Sequence, residues 1–491
     1  MVRLLTIVIV LMIQNAFTQN TQVELKAQQE IDFKNVEGIW ENDGYGRILQ
    51  IVEQEITIYD ICKINCNNSM VMSYEMASKS FLINRTSDST LIAQDGLNNY
   101  YFKKIDKLPE LCSDKSRKDE ALYNFEVLWQ TFNEHYVYFE ERNIDWNALK
   151  IKYQNQITKT IKSFDFFLLM EEMLDEINDG HVNLYAPNDL RKKYKKHQKQ
   201  QRKIRVIELR KKLGKNIKID PIVTEEVALK TIKKYVKDVK IYNLGVLNYG
   251  LISKDIALVQ VNGMDDFANY KIPEGYSVAK SEKLYEEQSS KSKNYKNDNI
   301  DGAGYILDKI ISEISETKVC IIDIRFNGGG EDTIGLEILK RFAKNDTLVF
   351  SKKAKNKSGF TKKQYAYLKP SKNTYKGKIY LLTSHYTASA AETFTMATMI
   401  TNPKMVRIGS NTHGVFSDML NKKLPNGWEY SLSNEIYENF NGISYEVIGI
   451  SPHYNIEYPK KGYWFFRKFK YDNTNKDLAI EKVLELEKIN P

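Results

Sequence analysis

A serine attacks a carbonyl only when a base takes its proton and when donors await the charge that develops on the substrate oxygen. Two segments offer those donors: Asp323-Ile324-Arg325-Phe326-Asn327-Gly328-Gly329-Gly330 and Thr387-Ala388-Ser389-Ala390-Ala391-Glu392. In the first, an apolar strand runs into three glycines, so backbone N–H groups stay uncovered by side chains and a ligand oxygen can come close. In the second, a strand over Lys378 to Thr383 passes through a polar turn into a helix rich in Ala, Met and Phe. Ser389 stands near the helix start, where unpaired N–H groups favour negative charge. Taken alone, Ser389 reads more readily as a helix N-cap, a common place for serine. The glycine strand end shifts the reading to a nucleophile, with N–H groups of Gly328 or Gly329 and of Ala390 as the oxyanion donors.

The chain has six histidines from which a base can come: His135, His181, His197, His385, His413 and His453. His135 falls on a helix with an aromatic stripe, and His197 lies in a basic run. His181 follows Asn178-Asp179-Gly180, where a helical pattern stops and the alternation His181-Val182-Asn183-Leu184-Tyr185 begins. Such a corner can aim a side chain into a cleft. His413, in Thr412-His413-Gly414, is its main rival.

The elements that must position these groups follow from periodicity. Residues 35–104 hold short β-like runs broken by Gly, Asn and Asp, which predicts a small antiparallel β domain over 30–106. Leu122, Phe125, Leu128, Trp129, Phe132 and Tyr136 recur at helical spacing, as do Phe166, Leu169, Met170, Met173, Leu174 and Ile177. They predict the core face of a helical bundle over 115–187 that ends at the histidine corner. A basic insert spans 188–243. From 244 to 491, apolar strands (Ile256 to Val261, Val319 to Ile324, Lys378 to Thr383, Met405 to Gly409) alternate with helices after Asp332, Ser389 and Asp477. That pattern predicts an α/β core whose sheet is covered on both faces.

Composition narrows the function classes. The chain has 491 residues, and 42% are hydrophobic, enough for several packed units. A basic start and the apolar run Leu4 to Ile13 predict a cleaved signal peptide over 1–19, so the protein is expected to be exported, periplasmic or extracellular, with no stable membrane insertion after cleavage. Of the four cysteines, Cys62, Cys66 and Cys112 can supply one bridge, and Cys320 reads as a buried small hydrophobe. The net charge of +9 owes much to Arg191 to Lys203, a solvated face without the interleaved aromatics of a nucleic-acid binder. No HExxH, clustered Cys/His set or acidic calcium loop is present, so no metal or other cofactor is expected.

The strand-Asn-Gly-Gly-Gly segment, the Thr-Ala-Ser-Ala-Ala-Glu segment, the Asp-Gly-His corner behind a bundle, and Tyr445-Glu446-Val447-Ile448-Gly449-Ile450-Ser451-Pro452 follow one another in the order of one peptidase family. From about Leu122 onward the chain resembles the C-terminal-processing (tail-specific) peptidases, the tricorn-core proteases and the repeats of interphotoreceptor retinoid-binding protein. The resemblance implies a ClpP/crotonase-like β-β-α superhelix core, behind the helical bundle and the small β domain, acting on peptide or protein substrates. The tail-specific branch uses a Ser–Lys dyad, with lysine after a GxxxxG turn. Here that turn resembles Gly409-Ser410-Asn411-Thr412-His413-Gly414, and Val415, which cannot accept a proton, comes next.

The tricorn branch uses an early histidine and a later glutamate, which His181 and Glu446 match. By that resemblance His181 is the general base for Ser389, and Glu446 supports the imidazole directly or through another group. The sequence departs from the branch in having Gly180 where a bridging serine is usual, and Pro452-His453 for Pro-Asp. It also lacks a carboxylate-binding PDZ loop in 188–243. Two other readings stay open: a non-catalytic ligand carrier on the same scaffold, and an N-terminal β domain that serves glycan or surface attachment.

Overall fold

The computed structural model describes residues 35–488 apart from 79–80, 115, 214–222, 274, 293, 402 and 475; the expected signal segment lies outside them. The first unit is a seven-stranded antiparallel sheet: β1 (Gly38–Asn42), β2 (Arg47–Val52), β3 (Glu55–Cys62), β4 (Asn65–Ser73), β5 (Leu82–Ser87), β6 (Thr90–Asp95) and β7 (Asn98–Ile105), in the order β4-β3-β2-β1-β7-β6-β5. Trp40, Ile51, Ile56 and Leu91 close its apolar face. Cys66 and Cys112 form a disulfide, while Cys62 and Cys320 are free and buried.

Helices α1 (Ala121–His135), α2 (Trp146–Gln154) and α3 (Ser163–Asp175) follow. The two helical stripes pack as the periodicity predicts: Phe125, Leu128, Phe132, Phe166, Met170 and Met173 are buried in one cluster. Leu122 departs from that pattern and is 37% exposed, on the outer edge of α1. After α3 the chain turns through Asn178, at φ +54°, into β8 (Asn183–Tyr185). The basic run lies on one long helix, α4 (Asn188–Leu213), and α5 (Thr224–Ile232) leads to the core.

Next come β9 (Lys240–Tyr242), β10 (Leu247–Ser253), β11 (Ile256–Val261), helices α6 (Val278–Lys291) and α7 (Tyr295–Glu313), β12 (Val319–Asp323) and α8 (Asp332–Leu339). They are followed by β13 (Thr347–Asn356), β14 (Gly359–Phe360), β15 (Gln364–Leu368), β16 (Lys378–Thr383), α9 (Ala390–Ala397) and β17 (Val406–Gly409). The last elements are β18 (Met419–Lys423), β19 (Glu429–Ser433), β20 (Glu435–Asn439), β21 (Tyr454–Asn455), α10 (Gly462–Lys470) and α11 (Leu478–Leu486).

The main sheet runs β21-β17-β16-β12-β11-β10-β9, with β11, β12, β16, β17 and β21 parallel. Central strands β11 and β12 are buried throughout because both faces are covered. Cys320 and Ile322 of β12 face the cluster of α7, α8 and α9, whereas Val319 and Ile321 face that of α5 and α11. The four strands and three helices read from periodicity are therefore present, with boundaries shifted by one residue at Ile324 and Met405. The fold is mixed α/β behind an N-terminal antiparallel sheet. Among the described residues no helix is long and apolar enough to cross a membrane.

Arg325 pins the carboxyl end of β12. Its buried guanidinium binds Asp323 at 2.8 and 2.9 Å and Asp477 at 2.9 Å, so the strand that leads to the glycines is tied to the first turn of α11.

Candidate active site

Parallel β12 and β16 end side by side, and both chain segments that could do chemistry leave from those ends. After β16 the polar turn is fixed by Thr387, whose hydroxyl donates to the Ile324 carbonyl at 2.9 Å and accepts from the Ser384 N–H at 3.0 Å. The chain then enters α9 through Ser389, at φ 54° and ψ −125°. A residue with a β-carbon pays steric strain there, and surrounding contacts must hold it. Ser389 stands at the N-cap position, yet its hydroxyl accepts no bond from the first turn. Its carbonyl does the local work instead, accepting from the N–H groups of Glu392 and Thr393 at 2.7 and 3.2 Å.

The glycine strand end meets this turn. A methyl on Gly329 would lie 2.6 Å from Ser389 Cβ and 2.9 Å from the Ala388 carbonyl, and Gly329 sits at φ +111°, so only glycine fits. One of the three named donors is already engaged: the Gly329 N–H donates to Asn327 Oδ1 at 2.9 Å. The N–H groups of Gly328 and Ala390 have no hydrogen-bond partner among the described residues. A methyl on Gly328 would meet nothing within 4 Å, and the residue is exposed.

His181 arrives from the bundle side. Asp179 Oδ1 accepts from the His181 N–H at 2.9 Å, and Ser431 Oγ donates to the His181 carbonyl at 2.8 Å, which fixes the corner. The side chain is buried, with 8% of the residue exposed, and Nδ1 has no hydrogen-bond partner. Burial pushes the imidazole pKa below its ordinary value; the charges of Asp179 and Asp418 and the Ser417 main chain beside it oppose this only in part. The imidazole is therefore neutral near pH 7 and able to accept a proton.

Segment 412–418 is a wall common to Ser389 and the His181 corner. The Ser389 N–H donates to the Val415 carbonyl at 3.1 Å, while a methyl on Gly180 would lie 3.6 Å from Val415 Cγ1 and 3.7 Å from His413 Nε2. Glu392 of α9 clamps this wall, accepting from the Gly414 and Val415 N–H groups at 2.7 and 2.8 Å. Burial pushes its carboxyl up to about 7 against those bonds. His413 also lies here, stacked on His385 with its Nδ1 3.0 Å from the His385 carbonyl oxygen.

Glu446 makes no hydrogen bond to His181. Its Oε1 accepts from Arg142 at 2.8 Å and its Oε2 from the Phe416 N–H at 2.7 Å. Arg142 lies 3.5 Å from Asp179 Oδ2, which also accepts from the Tyr136 hydroxyl at 2.9 Å. One guanidinium between two buried carboxyls leaves a carboxyl in excess. Burial and the Asp179 charge push Glu446 up to about 8, against the Phe416 bond and Arg142.

Sequence reasoning missed Arg142, Asp179 and Glu392 in these roles. Asp179 and Glu392 stood inside the quoted motifs, but Arg142 carries no local signal at all. Among the described residues no three His, Cys, Asp or Glu side chains group as metal ligands. A cavity of about 710 Å³ opens between α4 and the far side of the nucleophile turn, lined by Arg202, Arg205, Leu209, Tyr386, Tyr463 and Phe466 among others.

Comparison with known proteins agrees with this layout. Residues 262–456 match the model for peptidase family S41, and residues 117–175 match the tricorn protease C1 domain. No curated protein matches the sequence. Among solved structures, a candidate peptidase from Parabacteroides merdae is 19% identical over 75% of this chain and 96% of its own, with a TM-score of 0.52, which shows a shared fold. Mature CPAF bound to lactacystin is 10% identical over 76% and 98%, at TM-score 0.48. The photosystem II D1 C-terminal processing protease is 11% identical over 72% and 98%, at TM-score 0.38. The first family model spans the glycine strand end, the Ser389 turn and the later glutamate, and over residues 262–456 the chain is similar to peptidase family S41, the likeness that marks it as a serine-type peptidase.

Proposed function

We propose that the protein hydrolyses peptide bonds with Ser389 as nucleophile and His181 as general base. His181 takes the hydroxyl proton as Ser389 attacks the acyl carbon, then returns a proton to the leaving amine; water repeats the sequence to release the acyl group. The N–H groups of Gly328 and Ala390 receive the oxyanion, each worth on the order of 3 kcal/mol of transition-state stabilisation. Glu446 supports the base at one remove, through Arg142 and Asp179 to the His181 main chain. The cavity beside α4 supplies room for the polypeptide on one side of the scissile bond. Export by a signal peptide over 1–19 belongs to the same reading, as does the division into a β domain, bundle, basic insert and core.

The observation that carries this reading is Ser389 itself. A serine held at positive φ, at a helix start, with its hydroxyl withheld from capping and two unpartnered amides beside it is costly as structure and useful as a nucleophile. A fluorophosphonate probe is expected to label Ser389 in the full chain, to fail with Ser389→Ala and to react far more slowly with His181→Ala. Labelling at another residue, or an unchanged rate in His181→Ala, would overturn it.

A further inference from the structure

The proposed base lacks the partner that an imidazole of this kind needs. His181 Nδ1 is buried and has no acceptor, although a base that becomes cationic during the reaction calls for a carboxylate at that nitrogen. Three carboxyls stand near, and their hydrogen bonds separate them. Asp179 uses Oδ1 on the His181 N–H and Oδ2 on Tyr136, with Arg142 beside it. Glu446 uses Oε1 on Arg142 and Oε2 on the Phe416 N–H.

Asp418 alone of the three keeps an oxygen without a protein partner. Its Oδ2 accepts from both Asn98 and Lys352, each at 3.0 Å, and Oδ1 accepts from no described residue. It directly follows Ser417, whose main chain lies against the imidazole. Its side chain is 47% exposed while Lys352 beside it is 4% exposed, so Asp418 stands at the outer end of a buried charge network.

We propose that Asp418 is the carboxylate that supports the His181 imidazole, and that Asn98 of the N-terminal sheet is a positioning residue that holds it there. This rests on the reading of His181 as the base. Asn98 opens β7 just after the two-residue turn Gly96-Leu97, and that hairpin tip is seated on the core. Leu97 packs against the main apolar cluster, a methyl on Gly96 would lie 3.0 Å from Thr333 Cγ2, and the Asn99 N–H donates to Gln364 Oε1 at 2.8 Å. Asp95 at the same tip pairs with Lys296 of α7. The small β domain thereby contributes to the active site through one amide, which gives it a role in the reaction.

The charges around the pair fix the direction of the effect. His181 is faced by Asp179, Asp418 and His413. Asp418 is faced by the Lys352 ammonium, by the carboxyls of Glu435, Asp332 and Glu331, and by Tyr45, Tyr100 and Tyr437. Partial burial would raise the Asp418 carboxyl, but Lys352 and the bond from Asn98 bring it below its ordinary value, so it is ionised wherever His181 titrates.

The test measures fluorophosphonate inactivation of the full-length protein against pH. Asp418→Asn removes a negative charge beside the imidazole, so the acid limb is expected to move to lower pH and the plateau rate to fall by about ten-fold or more. Asn98→Ala is expected to lower the plateau less, with the melting temperature little changed. It decides the matter should Asp418→Asn fail to fold, because Lys352 keeps Glu435 and Tyr437 when Asn98 is lost. Wild-type midpoint and plateau in both variants, with His181→Ala inactive, would overturn this proposal and leave the base assignment standing. Unimpaired labelling in His181→Ala would remove the base assignment itself.

Discussion

Around Ser389 the groups that matter are main-chain ones: a positive φ, two unpartnered N–H groups and a glycine on which a methyl would lie 2.6 Å from the Ser389 β-carbon. Around His181 they are side chains: Asp179 from its own corner, and Arg142, Glu446 and Asp418 from three distant stretches. The first region is rigid because parallel strand ends and a helix start leave backbone nowhere else to go. The second is held by buried charges, and its geometry lasts only while those charges balance. The proposed mechanism needs both, so mutations on the two sides should fail in different ways.

The largest effect is expected at the nucleophile. Ser389→Ala should lower peptide turnover by on the order of 10⁴-fold or more and leave the fold intact, because the hydroxyl caps nothing. A substantial drop in melting temperature would mean that the hydroxyl does structural work after all. On the charged side the converse holds. Arg142→Ala leaves Asp179 and Glu446 buried, at 0% and 2% side-chain exposure, without their shared cation. That should cost about 3–5 kcal/mol of stability in denaturant titrations, whereas a change below about 0.5 kcal/mol, typical of a surface site, would contradict the balance argued here.

The same contrast explains what could be read from sequence. Strand ends and helix starts announce themselves locally, so Gly328 to Gly330 and Ser389 stood out, and strands over Ile256–Val261 and Lys378–Thr383 were legible from unbroken apolar runs. Charge partners do not. Arg142 sits in Glu141-Arg142-Asn143, with nothing nearby to mark it, and meets Glu446 only because the bundle packs on the core. Likewise, nothing local marks Asn98. Its bond to Asp418, 320 positions away, belongs to the tertiary structure. The disulfide was narrowed to three cysteines, and only the pairing of β3 with β4 and the turn at Cys112 decides for Cys66 over Cys62.

A smaller effect separates the charged side by pH. Glu446 has a folded pKa of about 8 against an ordinary 4.5, so the folded chain keeps a proton that the unfolded chain loses. The stability this contributes is whole below about pH 4.5 and is lost as pH rises toward 8, at no more than about 1.4 kcal/mol per pH unit. Glu446→Gln cannot titrate, so its stability relative to wild type should improve steadily between pH 5 and pH 8. Parallel curves for the two proteins would show that Glu446 stays ionised on Arg142 throughout.

The glycine strand end sharpens the comparison within the backbone side. Gly329→Ala forces a β-carbon into φ +111° and within 2.6 Å of Ser389 Cβ, which should cost about 2 kcal/mol or more and disturb the nucleophile. Gly328 stands one residue earlier with an ordinary φ and open space where a methyl would go. Gly328→Ala should therefore melt within about 0.5 kcal/mol of wild type. Its turnover should nonetheless fall by on the order of ten-fold, because the added methyl occupies the approach to an amide that the oxyanion requires. Loss of stability with turnover preserved would place that amide outside the reaction and return the donor role to Ala390 and another group.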